Sequence, residues 1–127
     1  MIQKGSKLTV IDIFGARLVS CIHVPGGYKR RYAFIEDNIV VSVKKLRNKR
    51  KLFSKVKKGD VIKALIIRTK MCLKSYSSDH LSFKENSVVL FNKQNKLIGT
   101  RLFGIIPSYF RYTRYLKLVS LTSGIAY

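Results

Sequence analysis

The sequence predicts a mainly β protein that folds as a small closed barrel or a sandwich. Short runs rich in β-branched residues recur at close spacing, and turn-forming residues separate them. The predicted strands cover residues 8–12, 18–24, 39–43, 61–69 and 87–91. The fourth strand is apolar throughout its middle, which indicates burial on both faces.

Helical signals appear only near the C-terminus. Pro107 can begin a short helix, because its fixed φ angle suits a first turn. A second helix would place Tyr115, Leu118, Val119 and Thr122 along one face. We therefore predict one or two short helices after the strands.

The composition indicates a single domain with a polyanionic partner. Of 127 residues, 46% are hydrophobic, and 26 Lys and Arg outnumber 6 Asp and Glu to give a net charge of +20. Repulsion among so many positive charges destabilises the compact state of a free protein, and a bound nucleic acid would neutralise the excess charge. A membrane surface is disfavoured, since we find neither a basic amphipathic helix nor a lipid signal. We expect one domain over residues 1–127, with the barrel and basic loops in 1–104 and a helical segment in 105–127.

The cysteine content and the N-terminus bear on the compartment. Two cysteines, Cys21 and Cys72, do not make a disulfide framework, which favours a reducing environment. The first residues lack the apolar region of a signal peptide, and no apolar run is long enough to span a bilayer. We expect no membrane association.

The segment 44–58 carries the densest positive charge in the chain. Its basic residues are Lys44, Lys45, Arg47, Lys49, Arg50, Lys51, Lys55, Lys57 and Lys58. A charge run is usually a solvated surface, but this one contains no acidic residue. Phosphate binding is therefore the preferred interpretation.

A second basic cluster lies in the segment 26–33, after the glycine pair at 26–27. Lys29, Arg30 and Arg31 lie between Tyr28 and Tyr32. Arginine can grip phosphates in bidentate fashion, and tyrosine rings can stack on unpaired bases. The alternative is a hairpin tip whose tyrosines cover the barrel end. We expect RNA contact for the charges and packing for at least one tyrosine.

The C-terminal third interleaves basic and aromatic residues, which fits RNA docking. The basic residues are Arg101, Arg111, Arg114 and Lys117, and the aromatic ones are Phe103, Tyr109, Phe110, Tyr112 and Tyr115. For the rings, packing of a helix pair on the barrel is the preferred interpretation.

Catalysis and metal binding are disfavoured. The sequence shows no acid/base pair, no nucleophile elbow and no glycine-rich phosphate loop, so we expect no enzymatic activity and no cofactor. Cys21 and His23 would share one face of a strand, and Cys72 with His80 could complete four ligands. Structural zinc sites usually have closer ligand pairs, so buried thiols and an exposed histidine are preferred.

Several ordered motifs make the whole chain resemble one family, the universal large-subunit ribosomal protein numbered fourteen. The matching segments are residues 1–3, 15–17, 26–33, 57–70 and 98–104, reading MIQ, GAR, GGYKRRYA, KKGDVIKALIIRTK and IGTRLFG. The resemblance implies a closed five-stranded β-barrel with a projecting β-ribbon and short C-terminal helices.

The resemblance also implies partners. Members of this family bind large-subunit rRNA near the sarcin–ricin region, on the intersubunit face, and reach small-subunit rRNA as an intersubunit bridge. They contact the large-subunit proteins numbered three and nineteen, and in bacteria and mitochondria a ribosome silencing factor can bind the exposed face. The residues that inherit expected contacts are Arg17, Arg30, Arg31, Lys57, Lys58, Arg68, Lys70 and Arg101.

Taken together, these arguments define a predicted RNA-binding set. It comprises Arg17, Lys29, Arg30, Arg31, Tyr32, Lys44, Lys45, Arg47, Lys49, Arg50, Lys51, Lys57, Lys58, Arg68, Lys70, Arg101 and Arg111. The predicted function is that of a structural constituent of the large ribosomal subunit.

Two alternatives stay open. The first is a free-standing RNA-binding chaperone or regulator of the small-barrel type. The aliphatic strands 39–43 and 61–67 disfavour it, because such binders display aromatic stacking platforms.

The second alternative concerns the location of the protein. The family's start coincides with Met1, and the turn at 57–60 resembles the bacterial and mitochondrial forms. We expect an organelle-encoded mitochondrial ribosomal protein, with the bacterial cytoplasm as the alternative.

Overall fold

Strands dominate the regular structure. The computed structural model describes residues 1–13, 15–47, 55–74 and 78–127. The strands are β1 (Lys7–Val10), β2 (Ala16–His23), β3 (Asn38–Leu46), β4 (Val61–Arg68), β5 (Leu73–Lys74), β6 (His80–Leu81), β7 (Ser87–Phe91), β8 (Ile105–Pro107) and β9 (Gly124–Ala126). A 3₁₀ helix spans Ser108–Tyr112, and helix α1 spans Leu116–Leu121.

Five of these strands close a barrel in the order β1-β2-β3-β4-β7. Neighbouring strands are antiparallel except at the closure, where β1 and β7 run parallel and Thr9 lies opposite Ser87. The two hydroxyl groups of this pair are hydrogen-bonded at 2.9 Å. The predicted mainly β class and the five-stranded barrel are confirmed, and the sandwich alternative is wrong.

Alternating side chains fill the barrel interior. Leu8 and Val10 of β1 point inward and are buried, and Ile39, Val41 and Val43 of β3 do the same. The side chains between them are more exposed. This two-residue period is the expected one for strands that bury a single face.

Strands β4 and β7 are instead buried on both faces, as the apolar run in β4 predicts. Ala64 and Ile66 contribute to the barrel interior. Leu65 and Ile67 belong to a second core outside the barrel, and Val89 of β7 joins them there. These two strands therefore lie between two apolar layers.

The C-terminal segment supplies the second layer. Phe110 of the 3₁₀ helix and Leu118 of α1 are buried against β4 and β7 in this outer core. Pro107, with φ of −61°, directly precedes the 3₁₀ helix. The prediction of one or two short helices is confirmed by α1, which excludes Tyr115 and Thr122 at its two ends, and the segment after Pro107 is a 3₁₀ helix.

Two features lie outside the barrel sheet. The β5–β6 pair forms a two-stranded antiparallel ribbon, which confirms the ribbon that the resemblance implies. Strands β8 and β9 pair in parallel and enclose the helical segment between them. The sequence did not predict this second pair, because each strand has only three residues and the pairing is remote along the chain.

Candidate nucleic-acid interface

Internal hydrogen bonds occupy most of the acidic side chains. Asp60 accepts a hydrogen bond from the backbone N–H of Lys57 at 2.8 Å. Glu36 accepts one from the hydroxyl of Tyr109 at 2.7 Å. The acids that accept a hydrogen bond from a described residue are Asp12, Glu36, Asp37, Asp60 and Glu85. These acids hold turns and loops of the fold, and their charges offset only a small part of that of the 26 basic residues.

Arg30 organises the loop between β2 and β3. Its guanidinium group pairs with the Asp37 carboxylate. Its Nε donates to the carbonyl of Tyr32 at 3.3 Å, and its Nη1 donates to the carbonyl of Pro25 at 3.5 Å. The turn before it needs positive φ angles, and glycine at position 26 adopts 97°. Arg30 therefore ties both sides of the loop to the start of β3.

This loop forms one wall of a basic groove of about 450 Å³. The groove is lined by Gln3, Lys4, Lys29, Arg30, Arg31 and Tyr32. Backbone pairing of Ile2 with Ala33, at 2.9 and 2.8 Å, brings the N-terminal residues to the loop. Gln3 and Lys4 were not predicted as interface residues, because only this long-range pairing places them in the groove.

The two tyrosines of the loop differ in exposure. Tyr28 is 90% exposed, whereas Tyr32 is 41% exposed and so covered over more than half of its surface; packing of at least one tyrosine stays a prediction. The Lys29 ammonium lies 5.2 Å from the centre of the Tyr28 ring. Tyr32 lines the groove, whereas the exposed Tyr28 lies outside its lining.

A second basic surface, which we call the hairpin-base cluster, lies where β2 begins and β3 ends. It consists of the exposed residues Arg17, Lys44, Lys45, Lys57 and Lys58. Leu18 of β2 lies opposite Lys45 of β3. The turn before β4 joins them, since the Gly59 N–H donates to the Val43 carbonyl at 2.9 Å. Lys44 and Lys45, the first two residues of the basic segment 44–58, are strand residues.

The groove and the hairpin-base cluster lie at opposite ends of the β2–β3 hairpin. Strand β2 has 8 residues, and it begins at the cluster and ends before the groove loop. The two basic surfaces are therefore separated by roughly 25 Å along the strand. That separation allows one molecule to contact two RNA segments.

Two arginines of the predicted set are engaged inside the protein. Arg47 donates from Nε to the carbonyl of Asp12 and from Nη2 to that of Val10, each at 3.1 Å. The Arg68 side chain is only 12% exposed, donates to the carbonyl of Phe103 and lies 3.5 Å from Glu85. Burial lowers the pKa of the Arg68 guanidinium, and the nearby Glu85 charge opposes that shift. RNA contact by either arginine stays a prediction, whereas their structural contacts are evident.

The remaining members of the set are dispersed. Lys70 is exposed before the ribbon, Arg101 is exposed before β8, and Arg111 is exposed on the 3₁₀ helix. Lys49, Arg50 and Lys51 lie outside the described residues.

The C-terminal aromatic rings divide into two groups. Phe110 is buried, and the half-buried Tyr115 contacts Phe91, with ring centres 6.1 Å apart. Tyr112, in contrast, is 88% exposed. The prediction that the C-terminal rings pack on the barrel is thus right for Phe110 and Tyr115 and wrong for Tyr112.

The zinc alternative required Cys21 and His23 to lie on one face of a strand. Between Cys21 and His23 the pairing of β2 with β3 shifts register, and Cys21 is buried while His23 is exposed. The two side chains therefore do not share a face. Within the described ranges, no three His, Cys, Asp or Glu side chains are grouped to hold a metal ion.

Asp12 is the carboxyl group with the most altered environment. It is fully buried, and burial raises its pKa to about 7, opposed by the Leu90 N–H and the charge of Arg47. A substrate cannot reach a side chain that is enclosed in this way, so its perturbed pKa does not indicate a catalytic group.

In the part of the chain that the structure describes, no helix is long and apolar enough to span a membrane.

A family model supplies the identification. The model described as Ribosomal protein L14p/L23e matches residues 1–126 of this chain. The match includes the barrel, the groove loop, the hairpin-base cluster and the C-terminal layer. The chain therefore belongs to the ribosomal protein L14p/L23e family, whose members are structural proteins of the large ribosomal subunit rather than enzymes.

Proposed function

We propose that this protein binds large-subunit rRNA through the groove and the hairpin-base cluster. One observation carries the proposal: basic side chains stand exposed at both ends of the β2–β3 hairpin, while five of the six acids accept hydrogen bonds within the fold. Phosphates would displace counterions at these surfaces and supply most of the affinity. The barrel holds the two surfaces at a constant separation.

Recognition would depend on the shape of folded RNA. The deep major groove of an A-form helix hides base edges from side chains, so cations positioned for phosphates recognise a particular arrangement of helices. The rigid spacing of roughly 25 Å selects RNA segments that approach each other at that distance. The protein would thereby stabilise a local rRNA fold during subunit assembly.

The family resemblance extends the proposal to the intersubunit face. We propose a bridge to small-subunit rRNA, contacts with the large-subunit proteins numbered three and nineteen, and access for a ribosome silencing factor. We also propose the mitochondrial ribosome as the location. The exposed ribbon strands and the exposed Arg101 offer surfaces for such partners.

Sedimentation tests the proposal directly. The tagged full-length protein should sediment with the large subunit from its own extract, and it should stay there after a high-salt wash. Simple electrostatic binding weakens by about 10³ to 10⁵ between 50 and 200 mM salt, whereas an interlocked component is retained. A protein that sediments free, or leaves as the salt rises, would instead be a free-standing RNA binder.

Arg31→Glu is the cleanest charge reversal in the groove. Arg31 is exposed and makes no hydrogen bond or ion pair to any described residue, so its replacement should leave the fold intact. We expect affinity for rRNA from the protein's own ribosomes to fall by about tenfold, and the salt dependence to lose about one phosphate contact. Filter binding across a salt series measures both.

Lys84→Glu is the matched control for Arg31→Glu. Lys84 is exposed, lies outside the predicted set, and its replacement changes the net charge by the same amount. Equal losses in the two variants would mean that overall charge, rather than the groove, determines affinity. Arg30→Glu is a poorer probe, because it would also break the contacts with Asp37 and the loop carbonyls.

A further inference from the structure

A second concavity lies on the barrel wall, beside the basic groove but distinct from it. It has a volume of about 460 Å³, within the range of about 300–1,000 Å³ of small-molecule sites. Val40, Phe91 and Tyr115 contribute its apolar surface, and the amide side chains of Asn38 and Asn95 contribute polar groups.

The polar groups of this concavity are held in place by the fold. The Asn38 Nδ2 donates to the Tyr115 hydroxyl at 3.0 Å, which leaves its carbonyl oxygen, a second N–H and the Tyr115 hydroxyl proton for a ligand. Asn95 sits in a tight turn, with φ of 58° and its N–H donating to the Asn92 carbonyl at 3.0 Å. The Asn38 amide is therefore pre-positioned, whereas at Asn95 the turn fixes the backbone from which the amide extends.

The charge at the rim is uniformly positive. Lys63 and Arg114 are exposed and line the opening, and the Arg114 guanidinium lies 5.1 Å from the centre of the Tyr115 ring. Among the described residues, no carboxylate lines the concavity. An aromatic and apolar surface, amide groups and a cationic rim together suit a nucleobase with its phosphate.

The concavity is also continuous with the proposed RNA surface. Pro25 lines it, and the carbonyl of Pro25 accepts the hydrogen bond from Arg30, which itself lines the basic groove. Pro25 and Arg30 therefore form a shared edge between the concavity and the groove.

We infer that the concavity between Asn38, Asn95 and Tyr115 accepts one unpaired nucleotide of RNA, an inference that rests on the proposed RNA-binding function. The base lies against the apolar surface, its edge meets the two amides, and the adjoining phosphates meet Lys63 and Arg114. The site would give this barrel a preference for single-stranded RNA at one position beside its shape-dependent contacts.

The test uses the full-length protein labelled with ¹⁵N and three probes: single-stranded octa-adenylate or octa-uridylate, a mixed-sequence RNA duplex, and an octa-glutamate peptide. We expect the single strands to shift the amide resonances around Asn38 and Asn95. In the double variant Asn38→Leu with Asn95→Gly, single-strand affinity should fall about tenfold, because the edge of the base loses its hydrogen bonds to both amides, while duplex affinity stays within about twofold. Glycine retains the positive φ at position 95, so the turn is preserved.

The outcomes separate this inference from the proposed function. If the single strands bind without shifting those resonances, or if the double variant keeps full single-strand affinity, the nucleotide site is wrong while rRNA binding stands. If octa-glutamate shifts the same resonances with similar affinity, the site is an acidic-peptide site instead. If single-strand and duplex affinity fall together in a variant whose spectrum is otherwise unchanged, the amides serve general RNA binding and the inference is overturned. Lys63→Gln provides a second variant at an exposed position, where the same selective loss is expected.

Discussion

Replacing Asp12 by asparagine should remove a large pH dependence from the stability of this protein. The folded state keeps the Asp12 proton up to about pH 7, whereas the unfolded chain releases it near the ordinary value of 3.8. Between these two pKa values the folded state binds more protons than the unfolded state. The free energy of unfolding therefore falls as the pH rises through this range, and it levels off above about pH 7.

The size of the effect follows from the two pKa values. One pKa unit corresponds to about 1.4 kcal/mol, so between pH 5 and pH 8 the wild-type free energy of unfolding should fall by about 2 to 3 kcal/mol relative to Asp12→Asn. Urea unfolding of both proteins at several pH values measures the difference, in which the other carboxyl groups cancel. Parallel pH profiles would show that Asp12 ionises freely in the folded protein.

Gly99→Ala should destabilise the protein by about 2 to 3 kcal/mol, the upper part of the usual range for overpacking. A Cβ atom at this position would lie 2.8 Å from both Cγ and Oδ1 of Asp12. The Asp12 side chain cannot move away easily, because it is buried and its backbone pairs with Leu102. The φ angle of Gly99 lies outside the left-handed region, so the requirement for glycine is spatial.

Two comparisons test this explanation by urea denaturation. Gly124→Ala is the matched control, since its Cβ would meet only Ile105 Cγ1, at an ordinary 3.7 Å, and we expect a change within about 0.5 kcal/mol. In an Asp12→Ala background, Gly99→Ala should lose at least about 1 kcal/mol of its effect, because the carboxyl group that it would meet is gone. Strict additivity of the two substitutions would rule out the close approach as the cause.

Local patterns in the sequence were sufficient to predict much of the fold. The apolar run in β4 predicted burial on both faces, and Ala64 and Leu65 indeed face two different cores. The run of β-branched residues at 39–43 predicted strand β3, and the structure adds that this strand buries one face. These signals are read reliably because each depends on neighbouring residues and on a period of two. The β8–β9 pair escaped prediction, because residues this far apart along the chain carry no shared periodicity.

The candidate interface shows the same division. The excess of basic residues predicted a polyanionic partner without any knowledge of the fold. It did not predict which arginines face solvent, since Arg30, Arg47 and Arg68 carry the same side chain as the exposed Arg31. Their contacts with Asp37, the Asp12 carbonyl and Glu85 depend on strands that meet only after folding.

The sequence by itself determined the fold class, the positive charge and the motifs of a ribosomal protein family. The tertiary structure alone decided where that charge is presented, that Lys4 joins the groove, and that Asp12 is enclosed beside Gly99. The physical reason is that strand propensity and net charge are properties of residues and their neighbours, whereas burial, hydrogen bonding and pKa depend on groups that the closed barrel brings together from distant parts of the chain.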